Sequence, residues 1–315
     1  MRPLASICFV GAAACGASPS APLAETPAPA PVPSSLVGAV TEVAFTVDDV
    51  DGPRALLERL GATVSGEHAA AAAEVAALTG VARAARVVRL RLGEEVISLV
   101  DHDGAGRPWR EGARSNDLDF QHIAIVVRDI DAAFAAVAPA VTLVSPRPQR
   151  IPDSNPAAGG IRADYLRTAE GDPLELIWYP PGRGDPRWQT APGELLGIDH
   201  TAIAASDTER SRAFYRALGF EVAGEALNAG VEQERLSGVD GARVRITGMA
   251  GRRGPGVELL EYLAPGPGRP ARADARADDL DHVATEIEVT SLDAAIAASV
   301  AAGGVHVAGP APCVL

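Results

Sequence analysis

Behind residue 38 the chain alternates between two hydrophobic periods. Four stretches carry the pattern: TEVAFTVDDVDGPRALL (41–57), QHIAIVVRDIDAAFAAV (121–137), DHTAIAASDTERSRAFY (199–215) and VATEIEVTSLDAAIAAS (283–299). Each opens with apolar and polar residues in alternation and passes into a run with a period near 3.6. The first period predicts a short strand and the second an amphipathic helix. Asp49, Asp129, Asp207 and Ser291 stand at the junctions, where a short polar side chain caps a helix N-terminus. Further alternating runs follow, such as ARVVRLRL and EEVISLVD in the first stretch, GIRADYLRT and PLELIWYP in the second, and GARVRITGM and GVELLEYL in the third. The unit therefore reads strand–helix–strand–strand–strand, and it recurs every ~80 residues. The units span 39–101, 118–180, 197–264 and 280–315, and the fourth reaches Leu315 after about two strands. A second echo, ARSNDLD (113–119) and ARADDLD (275–281), is separated by 162 residues (275 − 113). A sheet of this kind has one apolar face and must pair with another. The expected class is α+β: four βαβββ modules pairing into two open-barrel, cup-shaped halves, with the fourth module truncated. In chain order, modules 1 and 2 occupy 39–180 and modules 3 and 4 occupy 195–315.

Alignment on the junction residue places His122 seven before Asp129 and His200 seven before Asp207. The same slot holds Glu42 in the first unit and Ala284 in the fourth. His282 lies two residues before Ala284, on the same strand face and one rung away. The closing strands carry Glu175 and Glu258 between apolar neighbours, where a carboxylate is costly unless it is paired or bound to metal. The first unit has Ile97 or Ser98 there. The His-to-Glu separations are 53 (175 − 122) and 58 (258 − 200), so the arrangement occurs twice. Two imidazoles and two carboxylates suit a divalent ion such as Zn, Ni, Mn, Co or Fe, leaving about two octahedral positions for water or substrate. The candidate metal ligands are His122, Glu175, His200 and Glu258. Glu175 and Glu258 are also the candidate catalytic groups, because a displaced Glu can take a proton from a carbon next to a polarised carbonyl. Arg162, Tyr165 and Arg245 are candidate pocket residues whose facing alternation does not fix. Glu261 is expected to point outward or to the rim, and Trp178 and Trp188 into the core.

The chain has 315 residues, 47% hydrophobic, enough for two domains with cores of their own. The net charge is −13, and no basic run interleaves with aromatics, which argues against a nucleic-acid partner. All 28 basic residues are Arg, so Schiff-base, pyridoxal-phosphate and phosphate-loop lysines are excluded. Cys8, Cys15 and Cys313 offer neither a Cys/His metal cluster nor a disulfide framework. No apolar stretch reaches the roughly 18 residues of a membrane span. MRPLASICFVGAAA (1–14) has one Arg, an apolar run and then small residues, the pattern of a secretory signal peptide over 1–16. A Pro/Ala-rich linker (17–37) follows, and Cys15 resembles a bacterial lipoprotein site. The expectation is an exported protein, periplasmic or extracellular, with a candidate lipid anchor at Cys15; a cytoplasmic location is the alternative if the segment is not a signal.

HTAIAASDTERSRAFYRALGFEV (200–222) resembles the opening His–strand–Asp–helix–Phe-Tyr–Leu-Gly-Phe signature of the vicinal-oxygen-chelate superfamily, which includes glyoxalase I, methylmalonyl-CoA epimerase, extradiol dioxygenases and bleomycin-resistance proteins. YLRTAEGDPLELIWYP (165–180) is similar to that family's closing hairpin and strand, which end in a ligand Glu. Its turn, Arg167 to Asp172, departs from the family's Arg-Asp-Pro-x-Gly-His. The resemblance implies a divalent metal ion held by the first-strand His and last-strand Glu of two paired units, here His122, Glu175, His200 and Glu258. Pairing of units 1 with 2 and 3 with 4 would divide the ligands between two cups. Pairing of 2 with 3 and 1 with 4 would collect all four in one cup and leave the other vacant, and the count of ligands favours this second arrangement. Three functions are compatible: a metal-dependent lyase or isomerase of glyoxalase type acting on a small oxygenated substrate, an extradiol-type dioxygenase using His122, His200 and Glu258, and a metal-free module that binds a small molecule.

Overall fold

The computed structural model describes residues 5–10, 36–104, 106–309 and 311. Residues 17–35 of the expected Pro/Ala-rich linker and Cys15 lie outside these residues, as does most of the expected signal segment, while Val37, the linker's last residue, opens β2. Strand β1 is Ala5–Val10. The first unit comprises β2 (Val37–Val47), α1 (Asp51–Leu60), β3 (Thr63–Ala70), α2 (Ala72–Thr79), β4 (Ala85–Leu92) and β5 (Glu95–His102). The second comprises β6 (Phe120–Val127), α3 (Ile130–Val137), the short β7 (Thr142–Leu143) and β8 (Gln149–Arg150), then β9 (Arg162–Arg167) and β10 (Pro173–Trp178). The third comprises β11 (Leu195–Ala204), α4 (Thr208–Leu218), β12 (Glu221–Ala229), α5 (Val231–Ser237), β13 (Arg243–Ala250) and β14 (Gly256–Ala264). The fourth contributes β15 (Val283–Val289) and α6 (Leu292–Ala301).

The junction residues start the helices as expected in three units. Asp129 Oδ1 accepts from the amides of Asp131 and Ala132, Asp207 Oδ1 from Arg210, and Ser291 Oγ from Ala294. In the first unit the helix begins one residue later, after Val50, and Asp49 accepts from the Asp51 amide at 3.1 Å. Pro53 occupies that first turn, where a missing N–H costs nothing.

Two sheets result. One has the order β1-β15-β2-β5-β4-β3 and the other β12-β13-β14-β11-β6-β10-β9-β7, with β8 beside β9. Antiparallel pairing of β6 with β11 joins units 2 and 3, and antiparallel pairing of β15 with β2 joins units 4 and 1. The pairing is therefore 2 with 3 and 1 with 4. Among the described residues the fourth unit supplies one strand, not the two expected, and β1 pairs antiparallel with the free side of that strand. Each sheet turns one face toward the helices. Val43, Phe45 and Val47 of β2 share a core with Leu56 and Leu60 of α1, Ile123 and Ile125 of β6, and Ile130 of α3. A second core joins Phe220, Met249 and Val257 of unit 3 to Ile287 and Val289 of unit 4. The other faces of the two sheets form the cups.

The 162-residue echo is a reciprocal clasp. Asp117 accepts from the Arg269 amide at 2.7 Å and from its guanidinium, and Asp279 accepts from the Arg107 amide at 2.9 Å and from its guanidinium. The segment after unit 1 thus docks on the turn before unit 4, and the segment after unit 3 docks on the turn before unit 2. This crossing ties the outer units to each other. A further tie reaches the other sheet. Glu95 at the start of β5 is buried and accepts from the Ile198 amide at 2.9 Å and from Arg187 at 2.6 Å. Beside it, Gly93 has φ +62° and packs so close to the Leu196 carbonyl that a Cβ would collide.

Glu95→Ala leaves the buried Ile198 amide without its acceptor and removes the nearest carboxylate of Arg187, and is expected to cost on the order of 2–3 kcal/mol in urea unfolding; a loss below about 0.5 kcal/mol would show that the tie carries no stability. Asp164 on β9 gives a pH-dependent prediction. It is 0% exposed and, among the described residues, neither carboxylate oxygen has a hydrogen-bond partner. Burial, helped by the charge of Glu175, pushes its pKa up to about 7. Stability from the protonated group is fully present below the unfolded value near 4 and is lost as pH rises through 7. Wild type is expected to lose about 2–3 kcal/mol between pH 5 and 8 that Asp164→Asn keeps. Identical pH profiles of the melting temperature for the two proteins would refute this assignment.

Candidate metal centre

The site is built on four adjacent strands, β10-β6-β11-β14, and its geometry follows from their registers. Glu175 lies beside Ala124, which lies beside His200. One rung away, His122 lies beside Ala202, which lies beside Glu258. The two rows are related by a pseudo-two-fold axis between β6 and β11. The alanines between the ligands leave the space into which the long side chains converge. All four residues named from the sequence meet here. His122 Nε2 is 3.1 Å from His200 Nε2 and 3.0 Å from Glu175 Oε2. His200 Nε2 is 3.4 Å from Glu175 Oε2 and 3.3 Å from Glu258 Oε2. His122, Glu175 and His200 are buried, while the Glu258 side chain is 27% exposed.

The ring orientations come from residues that the sequence reading did not single out. Asp199 Oδ2 takes His200 Nδ1 at 2.9 Å, and Gln121 Oε1 takes His122 Nδ1. Strict alternation would put Asp199 and Gln121 on the opposite face. Each is the extra residue of a β-bulge: β11 advances from Ile198 to His200 while β6 advances one residue, and β6 skips Gln121 between Phe120 and His122. Trp188 Nε1 donates to Asp199 Oδ1 at 3.0 Å, and Tyr179 hydrogen-bonds to the same carboxylate. The only available signal was a hydrogen-bonding residue directly before each His, which does not by itself reveal a bulge.

With both Nδ1 atoms donating, both neutral Nε2 atoms carry lone pairs. They point at each other and at two carboxylate oxygens. Among the described residues Glu175 Oε2 receives no hydrogen bond. Four such atoms repel unless a positive charge sits among them, either a proton on His200 Nε2 or a metal ion. The local pKa values show the same demand. Burial opposes charging of His200, but Glu258, Asp199 and Glu175 together hold its pKa well above the usual imidazole value. Burial lowers that of His122. Glu175 is pulled down to about 2 by the two imidazoles despite its burial, and burial pushes Glu258 up to about 7. The donor set, two imidazole nitrogens and carboxylate oxygens within 4.8 Å of one another, fits a borderline divalent ion.

Other candidates fall elsewhere. Tyr165 faces the cup, its ring 4.8 Å from that of His122. Arg162 turns to the helix face and pairs with Asp131 at 2.7 Å. Arg245 also lies outside the cup, pairing with Glu261, which accepts from Thr208 as well and so is tied down rather than free at the rim. Trp188 is buried and Trp178 packs against the larger core, as expected. The side of Glu258 is open: Gly248 and Gly224 stand in register beside it, and among the described residues no side chain comes within 4 Å of where a Cβ on either glycine would lie. Further along β12 a cavity of about 350 Å³ lies between Pro152, Asn155, Leu227, Asn228 and Gln233.

Residues 197–312 match the profile of the Glyoxalase/Bleomycin resistance protein/Dioxygenase superfamily. No curated protein sequence matches the chain. Glyoxalase I from Zea mays is similar in fold, at 15% identity over 85% of this chain and 79% of that one, with a TM-score of 0.51. A mutant of the same Zea mays enzyme gives 14% identity over the same shares and the same TM-score. At these identities the likeness concerns the fold, and it extends over the units outside the matched segment. The third and fourth units thus carry the profile of that superfamily, and the described chain has the glyoxalase-type fold.

Proposed function

We propose that this protein is a divalent-metal-dependent lyase or isomerase of glyoxalase type, acting next to a carbonyl in a small oxygenated substrate. The supporting observation is the convergence of His122, Glu175 and Glu258 on His200 Nε2, at separations of 3.1–3.4 Å. His122, Glu175, His200 and Glu258 would hold the ion. A bound ion of this kind supplies Lewis-acid chemistry, polarising a carbonyl oxygen and stabilising an enolate.

The chain's own groups divide the remaining work. Glu175 reaches both imidazoles and is buried, so it anchors the cluster. Glu258 reaches only His200 and is the exposed member, beside the glycine-lined gap where substrate has room. It is the carboxylate free to swing off and take a proton from carbon at Oε2. Asp199 and Gln121 hold the imidazoles in the tautomer that presents Nε2, and Trp188 and Tyr179 hold Asp199 in turn. The walls around Ala124, Ile177 and Trp188 exclude water from the buried side.

A second reading, the dioxygenase expected on His122, His200 and Glu258, has support of a different kind, because the compact two-His, one-carboxylate set as used by non-haem iron oxygenases is completed by Glu175 instead of Glu258. Glu258, at 3.3 Å from His200, would add a fourth ligand, which favours the first reading. Iron-loaded protein that consumes oxygen with a catechol would select the second.

Chelator-stripped protein is expected to bind Zn²⁺ or Ni²⁺ at this site with micromolar or better affinity, and His122→Ala or Glu258→Gln to abolish or sharply weaken that binding in calorimetry. The loaded protein should exchange the C–H next to a carbonyl with D₂O in a panel of small 2-oxo and 2-hydroxy carbonyl compounds, followed by NMR, and Glu258→Gln should stop the exchange. Absence of metal binding at micromolar concentrations ends the reading. Asp199→Asn, which loosens His200 without removing a ligand, is expected to lower metal affinity by about 10- to 100-fold with the fold retained by circular dichroism; an unchanged affinity would show that Asp199 does not position the ring.

A further inference from the structure

The cup of units 1 and 4 lacks the first cup's ligands at the equivalent positions. Glu42 stands in the His122 slot, Ser98 in that of Glu175 and Ala284 in that of His200. Ser98 and Arg89 both hydrogen-bond to Glu42, which ties up that carboxylate. The same face carries two histidines that the function above does not use, His282 one rung beyond Ala284 and His102 two rungs beyond Ser98. His282 and His102 line a cavity of about 50 Å³ together with Thr46, Leu78, Val100 and Ala277.

Hydrogen bonding fixes the tautomers of both rings. The Thr46 hydroxyl donates to the Ala277 carbonyl at 2.8 Å, so its only proton is used. Its 3.3 Å contact with His282 Nδ1 must then be donated by the ring. The His282 lone pair therefore lies on Nε2, which is buried and has no hydrogen-bond partner among the described residues. His102 is 2% exposed and donates to the same Ala277 carbonyl. Its Nδ1 is likewise buried and, among the described residues, without a partner. Burial keeps both rings neutral: it lowers the pKa of His102 and, with His102 as neighbour, pushes that of His282 down to about 4. Thr79, also on the wall, uses its proton on the Val75 carbonyl at 2.9 Å. Glu42 and Glu286 complete the polar lining. The two imidazoles and the two threonine hydroxyls thus present acceptors to the cavity, which favours a cation over an anion. Imidazole lone pairs favour borderline first-row ions over magnesium or calcium. A backbone carbonyl or hydroxyl on the far N–H is the usual way a metal-binding imidazole is held. The volume suits an ion with a few waters, each needing about 10–15 Å³, and is too small for a larger organic ligand.

We propose that His102 Nδ1 and His282 Nε2 are the protein ligands of a second metal site, in the cup of units 1 and 4, which takes a first-row divalent ion with water completing its coordination. This site is independent of the one at His122.

The test uses the full chain stripped with chelator and Zn²⁺ alone as probe, with stoichiometry read by calorimetry and by elemental analysis after dialysis. A variant carrying His122→Ala and His200→Ala removes the first cup's ligands. It is expected to retain one equivalent of Zn²⁺, and adding His282→Asn or His102→Asn should weaken that equivalent at least 100-fold. If this parent variant binds no Zn²⁺, or if neither histidine change affects its binding, the proposal is overturned. Folding is checked by circular dichroism. Where one histidine variant does not fold, the other decides. Where neither folds, ¹⁵N imidazole spectra of the parent variant decide, since His282 Nε2 and His102 Nδ1 must shift on adding Zn²⁺ and unshifted signals overturn the proposal. Wild-type binding of one equivalent that survives His122→Ala and is lost in His282→Asn would reject the function proposed above while upholding this site.

Discussion

The antiparallel pairing of β6 with β11 is the constraint on which the rest of the molecule depends. It sets the diagonal His122/His200 pair across a single strand interface and places Ala124 and Ala202 between each His and its carboxylate. A one-residue slip of either strand would turn its imidazole to the helix side and leave the other without its partner. Two bulges in that same ladder bring Asp199 and Gln121 round to the ring nitrogens that would otherwise have no local partner. Register, ring orientation and tautomer are thus consequences of one strand pair.

Around this pair the fold keeps four lone-pair-bearing atoms closer than they would stay unaided. Such a centre is unfavourable as a neutral cluster and favourable once a positive charge occupies it. The surroundings are arranged asymmetrically. On the Glu175 side the wall is closed by Trp188, Tyr179 and their neighbours, and on the Glu258 side two glycines leave the sheet bare. The same chemistry on two pseudo-symmetric carboxylates therefore has an enclosed end and an accessible end.

The second cup shows what the same scaffold does when the slot residues change. Glu42, Ser98 and Arg89 satisfy one another where the first cup leaves acceptors converging. The reciprocal clasp of Arg107 on Asp279 and Arg269 on Asp117 closes each cup on itself, tying unit 1 to unit 4 and unit 3 to unit 2, and Glu95 links the cup of units 1 and 4 to the strand bearing His200. The cup of units 1 and 4 is thus also a support for the cup of units 2 and 3.

The sequence by itself determined the repeating unit, the helix starts at Asp129, Asp207 and Ser291, and the identity of four converging residues, because hydrophobic period and slot position are local properties of the chain. It also exposed the 162-residue echo without revealing that the two turns exchange partners. Tertiary structure decided which units pair, since linkers of similar length permit either arrangement and only the crossing clasp and the β6–β11 register choose between them. It decided as well that Asp199 and Gln121 serve the imidazoles, that Arg162 and Arg245 leave the cup while Tyr165 enters it, and that His102 meets His282. These depend on bulges and on residues far apart in the chain, and alternation along one strand carries no information about either.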